Sequence, residues 1–342
     1  MTATTAPRAF ITGCAGTHLT AEEETFLRET NPWGFILFRR NIETPAQVAA
    51  LVAAFRALVD RPDAPILIDQ EGGRVQRLGP PHWPIYPPAD VFAQLAATAS
   101  EARGAEAARL GARLMADDLA ALGINVDCVP CADLRLPEGH GIIGDRAYGE
   151  TPERVAVLAR AAAEGLMQGG VLPVLKHIPG HGRARADSHE SLPVVETSRA
   201  ELEATDFEAF RRLADLPLGM TAHVVYAAID PDAPATTSKR VIDEIIRGFI
   251  GFDGALMSDD LSMGALAGSL ASRTAASFAA GCDLVLHCNG KIDEMREVAA
   301  HAPVLAGDAA RRCAAALERV ARPTMIEQTQ ARVQFSAMIA AS

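Results

Sequence analysis

The segment from Lys176 to His189 holds the residue types best suited to acid–base chemistry. It runs Lys-His-Ile-Pro-Gly-His-Gly-Arg-Ala-Arg-Ala-Asp-Ser-His, with three histidines, one lysine and one aspartate. Pro179, Gly180 and Gly182 break helices and central strands, which predicts a loop over the whole segment. Because loops on a rigid scaffold often bear catalytic side chains, we predict that this is an active-site loop.

Asp187 and His189 are the two residues of this segment that most clearly indicate a specific chemical role. In extended chain the side chains of residues i and i+2 point to the same side, so the two groups would lie next to each other. A carboxylate beside an imidazole raises the imidazole pKa and fixes its tautomer. Such a pair predicts a general acid/base, a role worth about 10²–10⁴ in rate.

A second chemical feature is the pair Asp259 and Asp260, which follows the apolar run Gly254-Ala-Leu-Met-Ser. A carboxylate held at the end of a rigid strand suits a nucleophile that must attack with defined geometry. Adjacent residues in a strand point to opposite sides, so only one of the two faces a pocket. The pattern alone does not decide which.

Zinc is the rival interpretation of the same loop, because three imidazoles and a carboxylate are a complete zinc ligand set. The candidate ligands are His177, His181, Asp187 and His189. Against this, the ligands lie on a glycine-rich loop, and the cations of Lys176 and Arg183 would repel a metal ion. The sequence therefore favours a site without a metal or another cofactor.

Composition limits the classes of partner. The chain has 342 residues, of which 49% are hydrophobic and 22% charged, and a net charge of −11. Such an acidic chain is not expected to bind nucleic acid, and no apolar run reaches the roughly 18 residues of a membrane span. The six cysteines show no disulfide spacing, and Cys128 and Cys131 are predicted to be buried small hydrophobic residues. With no apolar signal segment at its start, the protein is predicted to be cytoplasmic; nothing in the sequence indicates an oligomeric state.

Eight short apolar runs alternate with helical patterns, which predicts a single-domain (β/α)8 TIM barrel. A doubly wound open sheet fits less well, because no glycine-rich dinucleotide or phosphate motif follows a strand. The predicted domain covers residues 1–342, with the segment from about 323 as a tail or packing extension. The predicted strands are Ala9–Gly13, Gly34–Phe38, Pro65–Asp69, Ile124–Val129, Val171–Lys176, Leu216–Ala222, Gly254–Ser258 and Asp283–His287.

Helix start signals lie between these strands. Thr44-Pro45 and Thr151-Pro152 each place proline at a first helical position, and Ser198 with Glu201 has the spacing of a capping box. The stretch 89–122 predicts one long helix or two. Polar and ionisable residues follow most of the later strands, where the catalytic groups of a barrel gather.

Four motifs in this order resemble the glycoside hydrolase family 3 β-N-acetylhexosaminidases, in particular the single-domain bacterial enzymes of peptidoglycan recycling. They are Asp69-Gln-Glu-Gly-Gly-Arg-Val-Gln-Arg77, Gly144-Asp-Arg146, the loop from Lys176 to His189, and Ser258-Asp-Asp-Leu-Ser-Met263. The resemblance extends from about Ala9 to Gly290. It implies a TIM barrel that removes terminal β-linked GlcNAc from GlcNAc-1,6-anhydroMurNAc and its peptide-bearing forms.

The resemblance also implies roles for individual residues. Asp259 is similar to the family's nucleophile, His189 to its general acid/base and Asp187 to the partner of that histidine. Five more residues are similar to those that contact the sugar: Asp69, Arg77, Arg146, Lys176 and His177. Family members often have Phe where Ile178 stands and Asp-Thr where Arg183-Ala184 stands, so loop motion and leaving-group preference are where this chain is expected to differ. Phosphorolysis, the zinc hydrolase and an inactive sugar-binding barrel stay as alternatives.

Overall fold

A closed barrel of eight parallel strands forms the centre of the protein, as predicted. A computed structural model describes residues 6–137, 139–188, 190–320 and 322–340. Each strand pairs with the one before it in the chain, and the first pairs with the last. The strands are β1 (Arg8–Thr12), β2 (Pro32–Leu37), β3 (Ile66–Ile68), β4 (Val126–Asp127), β5 (Leu172–Ile178), β6 (Leu218–Thr221), β7 (Ala255–Asp260) and β8 (Leu284–His287).

Eleven α-helices are described around or beside the barrel, and a π-helical segment runs over Val241–Phe249. Thr44, Thr151 and Ser198 each accept a hydrogen bond from the amide three residues later, which confirms the three predicted helix starts. The helices are α1 (Ala21–Thr30), α2 (Pro45–Leu58), α3 (Ala89–Thr98), α4 (Glu101–Ala120), α5 (Pro152–Gln168), α6 (Arg199–Ala204), α7 (Asp206–Arg211), α8 (Leu270–Ala280), α9 (Ile292–His301), α10 (Gly307–Glu318) and α11 (Gln328–Ile339).

Strand β5 extends further than the sequence predicts. It ends at Ile178, which pairs with Thr221 of β6, so Lys176 and His177 belong to the strand. The strand therefore continues two residues beyond its predicted end at Lys176, and the prediction of a loop over the whole segment 176–189 is wrong for its first three residues. The rigid strand thus holds both side chains directly at the barrel rim.

The last described helix, α11, packs on the outside of the barrel. The ring of Phe335 lies 6.3 Å from that of Phe92 on α3. A Cβ at position 111 of α4 would come within 2.8 Å of the Phe335 ring, so Gly111 allows this close approach. Arg332 of α11 also forms an ion pair of 2.7 Å with Asp118 of α4, which adds a polar contact to the apolar one.

The described residues include no helix with the length and apolar character to cross a bilayer. All six cysteines are free and buried, and burial raises the pKa of the Cys128 thiol well above its ordinary value. These thiols contribute to packing, as predicted for Cys128 and Cys131.

Candidate active site

A cavity of about 330 Å³ opens at the ends of the barrel strands where the polar motifs lie. Barrel enzymes place their chemistry at this rim, because side chains from several strands converge there. Six of the predicted site residues line it: Asp69, Arg77, Arg146, Lys176, His177 and Asp259. Apolar lining residues include three on β2, β6 and β8 and one just beyond β2: Ile36, Met220, Leu286 and Phe38.

Lys176 is the centre of a buried ion-pair network. Its Nζ lies 2.8 Å from Asp69 and 2.7 Å from Glu71, although only 2% of the side chain is exposed. Arg77 forms a 3.0 Å ion pair with Asp69, and Arg146 binds both oxygens of Glu71 at 2.8 Å. The network thus contains three cations and two carboxylates, which leaves one positive charge to balance another anion in the cavity.

Charge pairing outweighs burial in setting the ionisation of this network. Burial alone would raise the pKa of Asp69, but Lys176 and Arg77 lower it below its ordinary value. Burial likewise opposes the charge of Glu71, yet Arg146 and Lys176 lower its pKa to about 2. For Lys176, burial would lower the pKa, but the two carboxylates raise it. All three groups are therefore charged at neutral pH.

Glu71 is a site residue that sequence reasoning missed. It belongs to a short strand, Gln70–Gly72, directly after β3, and its side chain is 7% exposed. The sequence could have indicated this residue, because Glu71 lies two residues after Asp69 and the side chains of residues i and i+2 point to the same side of an extended chain. Its partners Arg146 and Lys176 come from other parts of the barrel, and the local pattern does not reveal them.

Glu71→Gln is expected to lower the free energy of unfolding by about 3–5 kcal/mol at pH 7, since it breaks a buried ion pair. The pKa of Glu71 is lower in the folded than in the unfolded chain, so its stabilisation is complete above pH 4.5 and is lost as pH falls towards about 2. Urea unfolding at pH 7 and pH 3 measures this, and the difference between wild type and variant should shrink at pH 3. The matched control is Glu43→Gln at an exposed position, expected within about 0.5 kcal/mol of wild type. A Glu71 variant as stable as that control would contradict the account.

Asp133 is the second residue that sequence reasoning missed. It lies beyond β4, is fully buried, and accepts a 2.6 Å hydrogen bond from Nδ1 of His177. It also accepts the backbone N–H groups of His177 and His181. Burial opposes its charge, but the two histidines lower its pKa below the ordinary value. Asp133 therefore fixes Nδ1 of His177 as the donor and orients the ring at the cavity wall.

The neighbouring aspartates at the end of β7 differ in the number of hydrogen bonds that their carboxylates accept. The carboxylate of Asp260 accepts three hydrogen bonds, from the amide and hydroxyl of Ser262 and from the amide of Cys288. Asp259 accepts one described hydrogen bond, from the amide of Asp260. Both residues line the cavity, so the expectation that only one of them faces it is wrong. Asp260 also fastens the turn after the strand, whereas Asp259 keeps acceptor capacity in the cavity.

Asp259 is also held in its ionised form. Burial would raise the pKa of this carboxyl, but His223, His177, the amide of Asp260 and Lys176 together lower it below the ordinary value. His223, which follows β6, is fully buried; its Nε2 lies 3.1 Å from the backbone oxygen of Asp260. An ionised carboxylate fixed at a barrel rim is a competent nucleophile.

The loop after β5 reaches the same cavity as Asp259. Ser188 lines the cavity and is 4% exposed, and its backbone oxygen accepts the amide of Ala265 from the loop after β7 at 3.2 Å. The backbone oxygen of Asp187 accepts the amides of Glu190 and Ser191. Two backbone amides beyond position 189 thus bind back to Asp187. His189, and with it the predicted placement of its side chain beside Asp187, lies outside the described residues.

Arg183, one of the departures from the family pattern, fixes the base of this loop. Its guanidinium binds Asp206 at 2.7 Å and Glu201 at 3.0 Å, on helices α7 and α6. The other departure, Ile178, is fully buried at the end of β5. The arginine ties the loop to the outer helices, and the isoleucine contributes to the core rather than to the cavity.

A possible metal-ligand group in the described part of the chain differs from the predicted one. It consists of Cys131, Asp133 and His177, all buried, with ligand atoms within 4.8 Å of one another. Asp133 and His177 already satisfy each other by a hydrogen bond, and Cys131 Sγ lies 3.2 Å from the same Asp133 oxygen. Without a metal, this group therefore forms a closed hydrogen-bond network.

Comparison with known proteins identifies the family. The sequence profile described as the glycosyl hydrolase family 3 N-terminal domain matches residues 10–322. The chain belongs to glycoside hydrolase family 3. A family 3 relative named β-hexosaminidase from Pseudomonas aeruginosa is 43% identical over 282 residues, which cover 81% of each chain.

A solved family 3 structure shares the architecture almost from end to end. NagZ from Neisseria gonorrhoeae in complex with N-trifluoroacetyl-D-glucosamine is 35% identical, with a TM-score of 0.85, over 98% of this chain and 97% of that one. The same NagZ has been solved with a zinc ion, at 34% identity and a TM-score of 0.84 over the same shares. As a member of glycoside hydrolase family 3 with such relatives, the protein is a β-N-acetylhexosaminidase.

Proposed function

We propose that the protein is a retaining exo-β-N-acetylglucosaminidase of peptidoglycan recycling. Its substrates are muropeptides, namely GlcNAc-1,6-anhydroMurNAc and its peptide-bearing forms, from which it removes the terminal β-linked GlcNAc in the cytoplasm. The amino-sugar analogue named in the NagZ structure supports a GlcNAc-type ligand in this cavity. The proposal depends most on one observation, that ionised Asp259 and the buried Ser188 between Asp187 and His189 line a single cavity.

The first chemical step forms a glycosyl–enzyme ester. A carboxylate oxygen of Asp259 attacks the anomeric carbon, and the bond from that carbon to the leaving oxygen breaks. Protonated His189 gives its proton to the leaving oxygen, which departs as the hydroxyl of the aglycone. The Asp187 carboxylate stabilises the imidazolium before transfer.

The second step returns the enzyme to its starting state. Neutral His189 takes a proton from water as the water oxygen attacks the anomeric carbon, and the ester bond to Asp259 breaks. Two inversions at one carbon retain the β-configuration. Retaining glycosidases usually combine two carboxylates, so an imidazole here avoids a second negative charge close to Asp259.

The ion-pair network binds the sugar and offsets charge in this scheme. Asp69 offers acceptor capacity for sugar hydroxyls, and Arg77, Arg146 and Lys176 offer donors held rigidly by their carboxylate partners. The single excess positive charge of this network balances Asp259. His177, oriented by Asp133, presents its Nε2 edge as a further polar contact at the cavity wall.

A panel of aryl β-glycosides tests the proposal. We expect the highest kcat/KM for the GlcNAc glycoside, at least about tenfold (about 1.4 kcal/mol) above those of glucose, GalNAc and xylose. GlcNAc-1,6-anhydroMurNAc should be hydrolysed, with the β-anomer of GlcNAc as the first product seen by NMR. A glucoside preference, or an α-configured first product, would contradict the proposal.

Two further arms of this assay separate the alternative reactions. Added phosphate should leave the products unchanged, whereas formation of a sugar 1-phosphate would indicate a phosphorylase. Prior treatment with a chelator should leave activity unchanged, whereas loss and recovery with zinc would indicate a zinc-dependent hydrolase. Since a relative has been solved with zinc, added zinc should be tested separately as an inhibitor.

A further inference from the structure

His181 is a cavity residue to which the proposed mechanism gives no role. It follows β5 by three residues, lines the same cavity as Asp259 and is 4% exposed. Its backbone N–H donates to Asp133 at 2.6 Å, so the position of the residue is fixed by the same carboxylate that orients His177. Its ring edge Nε2 lies 3.1 Å from Oγ of Ser188.

The ring of His181 is held neutral. Burial lowers its pKa to about 4, and the neighbouring His177 adds to this effect. Nδ1 has no hydrogen-bond partner among the described residues. Since a buried N–H without an acceptor costs more than an unused lone pair, the proton belongs on Nε2, which then donates to the Ser188 hydroxyl. At neutral pH, His181 is therefore a fixed donor and not a proton shuttle.

Ser188 links this donor to the loop that follows the nucleophile's strand. It lies between Asp187 and His189 in the chain, and its backbone oxygen accepts the amide of Ala265 in the loop after β7. The side chain of Ser188 thus binds the start of its own loop, while its main chain binds the loop that follows Asp259. Fixing this single residue limits how far the acid/base pair can move from the nucleophile.

We propose that His181 is a positioning residue, which through its hydrogen bond to Ser188 holds this neighbour of Asp187 and His189 at the cavity that Asp259 lines. The inference rests on the proposed function, because it needs Asp187 and His189 to supply the proton. Loss of the contact should slow the glycosylation step for substrates whose leaving group needs a proton and spare that step for substrates whose leaving group does not.

The test compares two substrates in five proteins, namely wild type, three single variants and one double variant. The substrates are GlcNAc-1,6-anhydroMurNAc, whose leaving oxygen needs a proton, and 2,4-dinitrophenyl β-GlcNAc, whose leaving group does not. The variants are Ser188→Ala, His181→Leu and His181→Gln, of which the last keeps an N–H donor near the place of Nε2. Thermal melts establish that each is folded, and Ser188→Ala, which removes only an oxygen, decides the outcome if a His181 variant fails to fold.

We expect Ser188→Ala and His181→Leu to lower kcat/KM on the disaccharide by about 10–100-fold, a part of the 10²–10⁴ that acid catalysis supplies. The loss of kcat/KM on the dinitrophenyl substrate, which reports the glycosylation step alone, should be below about threefold, and His181→Gln should recover most of the disaccharide activity. The double variant Ser188→Ala/His181→Leu should be no worse than either single one, because both remove the same contact.

Equal losses on both substrates, additive losses in the double variant or unchanged disaccharide activity would each overturn the positioning role. The proposed function has a separate criterion, since its failure would show as a wild-type enzyme that does not cleave the disaccharide or as His189→Ala without leaving-group dependence. If wild type cleaves the disaccharide and His189→Ala shows the leaving-group dependence, but the Ser188 and His181 variants keep wild-type activity on the disaccharide, only the further inference is rejected.

Discussion

Asp259→Asn should abolish turnover on every β-GlcNAc substrate, with kcat/KM reduced by about 10⁴-fold or more, which corresponds to about 5.5 kcal/mol of transition-state stabilisation. The amide fills the same space in the cavity but cannot form the glycosyl ester. Activated aryl leaving groups should not rescue the variant, because the missing step is attack and not protonation. Initial rates with 2,4-dinitrophenyl β-GlcNAc measure this directly.

The neighbouring Asp260 provides a matched control. Asp260→Asn keeps one acceptor oxygen but weakens the contacts to Ser262 and Cys288. It is expected to cost about 1–3 kcal/mol of stability, with a far smaller loss of activity than Asp259→Asn. With a fluorinated sugar, wild type and Asp260→Asn should gain the mass of one glycosyl group, while Asp259→Asn should not. A labelled Asp259→Asn protein, or a dead and unlabelled Asp260→Asn protein that is folded, would move the nucleophile to another residue.

The ionisation of Asp259 makes a prediction about pH that needs no variant. Opposing charges lower the pKa of this carboxyl despite its burial. A group that must be ionised to attack stops supporting activity only when pH falls below its pKa. The acid limb of kcat/KM is therefore expected below the ordinary range of an aspartate, and a loss of activity that begins near pH 6 has to come from another group.

The sequence was sufficient for the barrel because each strand is a short apolar run set between helical patterns. It was less accurate at the ends of strands, where tertiary pairing decides. β5 continues through Lys176 and His177 because β6 offers a partner for Ile178, a fact that no local pattern contains. The amides of Glu190 and Ser191 donate to the backbone oxygen of Asp187, and the residue pattern does not reveal these contacts either.

The sequence predicted those site residues that lie in recognisable motifs. Six predicted side chains line one cavity, since the ends of neighbouring parallel strands meet at one rim. What the sequence could not supply is pairing between distant segments. Glu71 holds Arg146 and Lys176, and Asp133 holds His177, but the chain separates these partners by more than forty residues. Such contacts depend on the closed barrel and are visible only once it is built.

His189→Ala is expected to give a loss that depends on the leaving group. On GlcNAc-1,6-anhydroMurNAc, kcat/KM should fall by about 10²–10⁴, the usual worth of a general acid. On 2,4-dinitrophenyl β-GlcNAc the first step needs no proton, so glycosylation should be nearly unchanged, and the slow step becomes hydrolysis of the ester. Pre-steady-state release of dinitrophenol with substrate in excess separates these steps, and the variant should show a burst of about one equivalent followed by a slow steady state.

Two variants separate the acid/base role of His189 from a general effect of removing an imidazole. Asp187→Asn keeps the imidazole but removes the charge that stabilises its cation, so the basic limb of kcat/KM should move to lower pH. His301→Ala, at an exposed position at the end of α9, removes an imidazole far from the cavity and should leave both substrates unaffected. Equal losses on both substrates in His189→Ala would assign the proton to another group. The side chain to test next would then be His177, which Asp133 already orients at the wall of the same cavity.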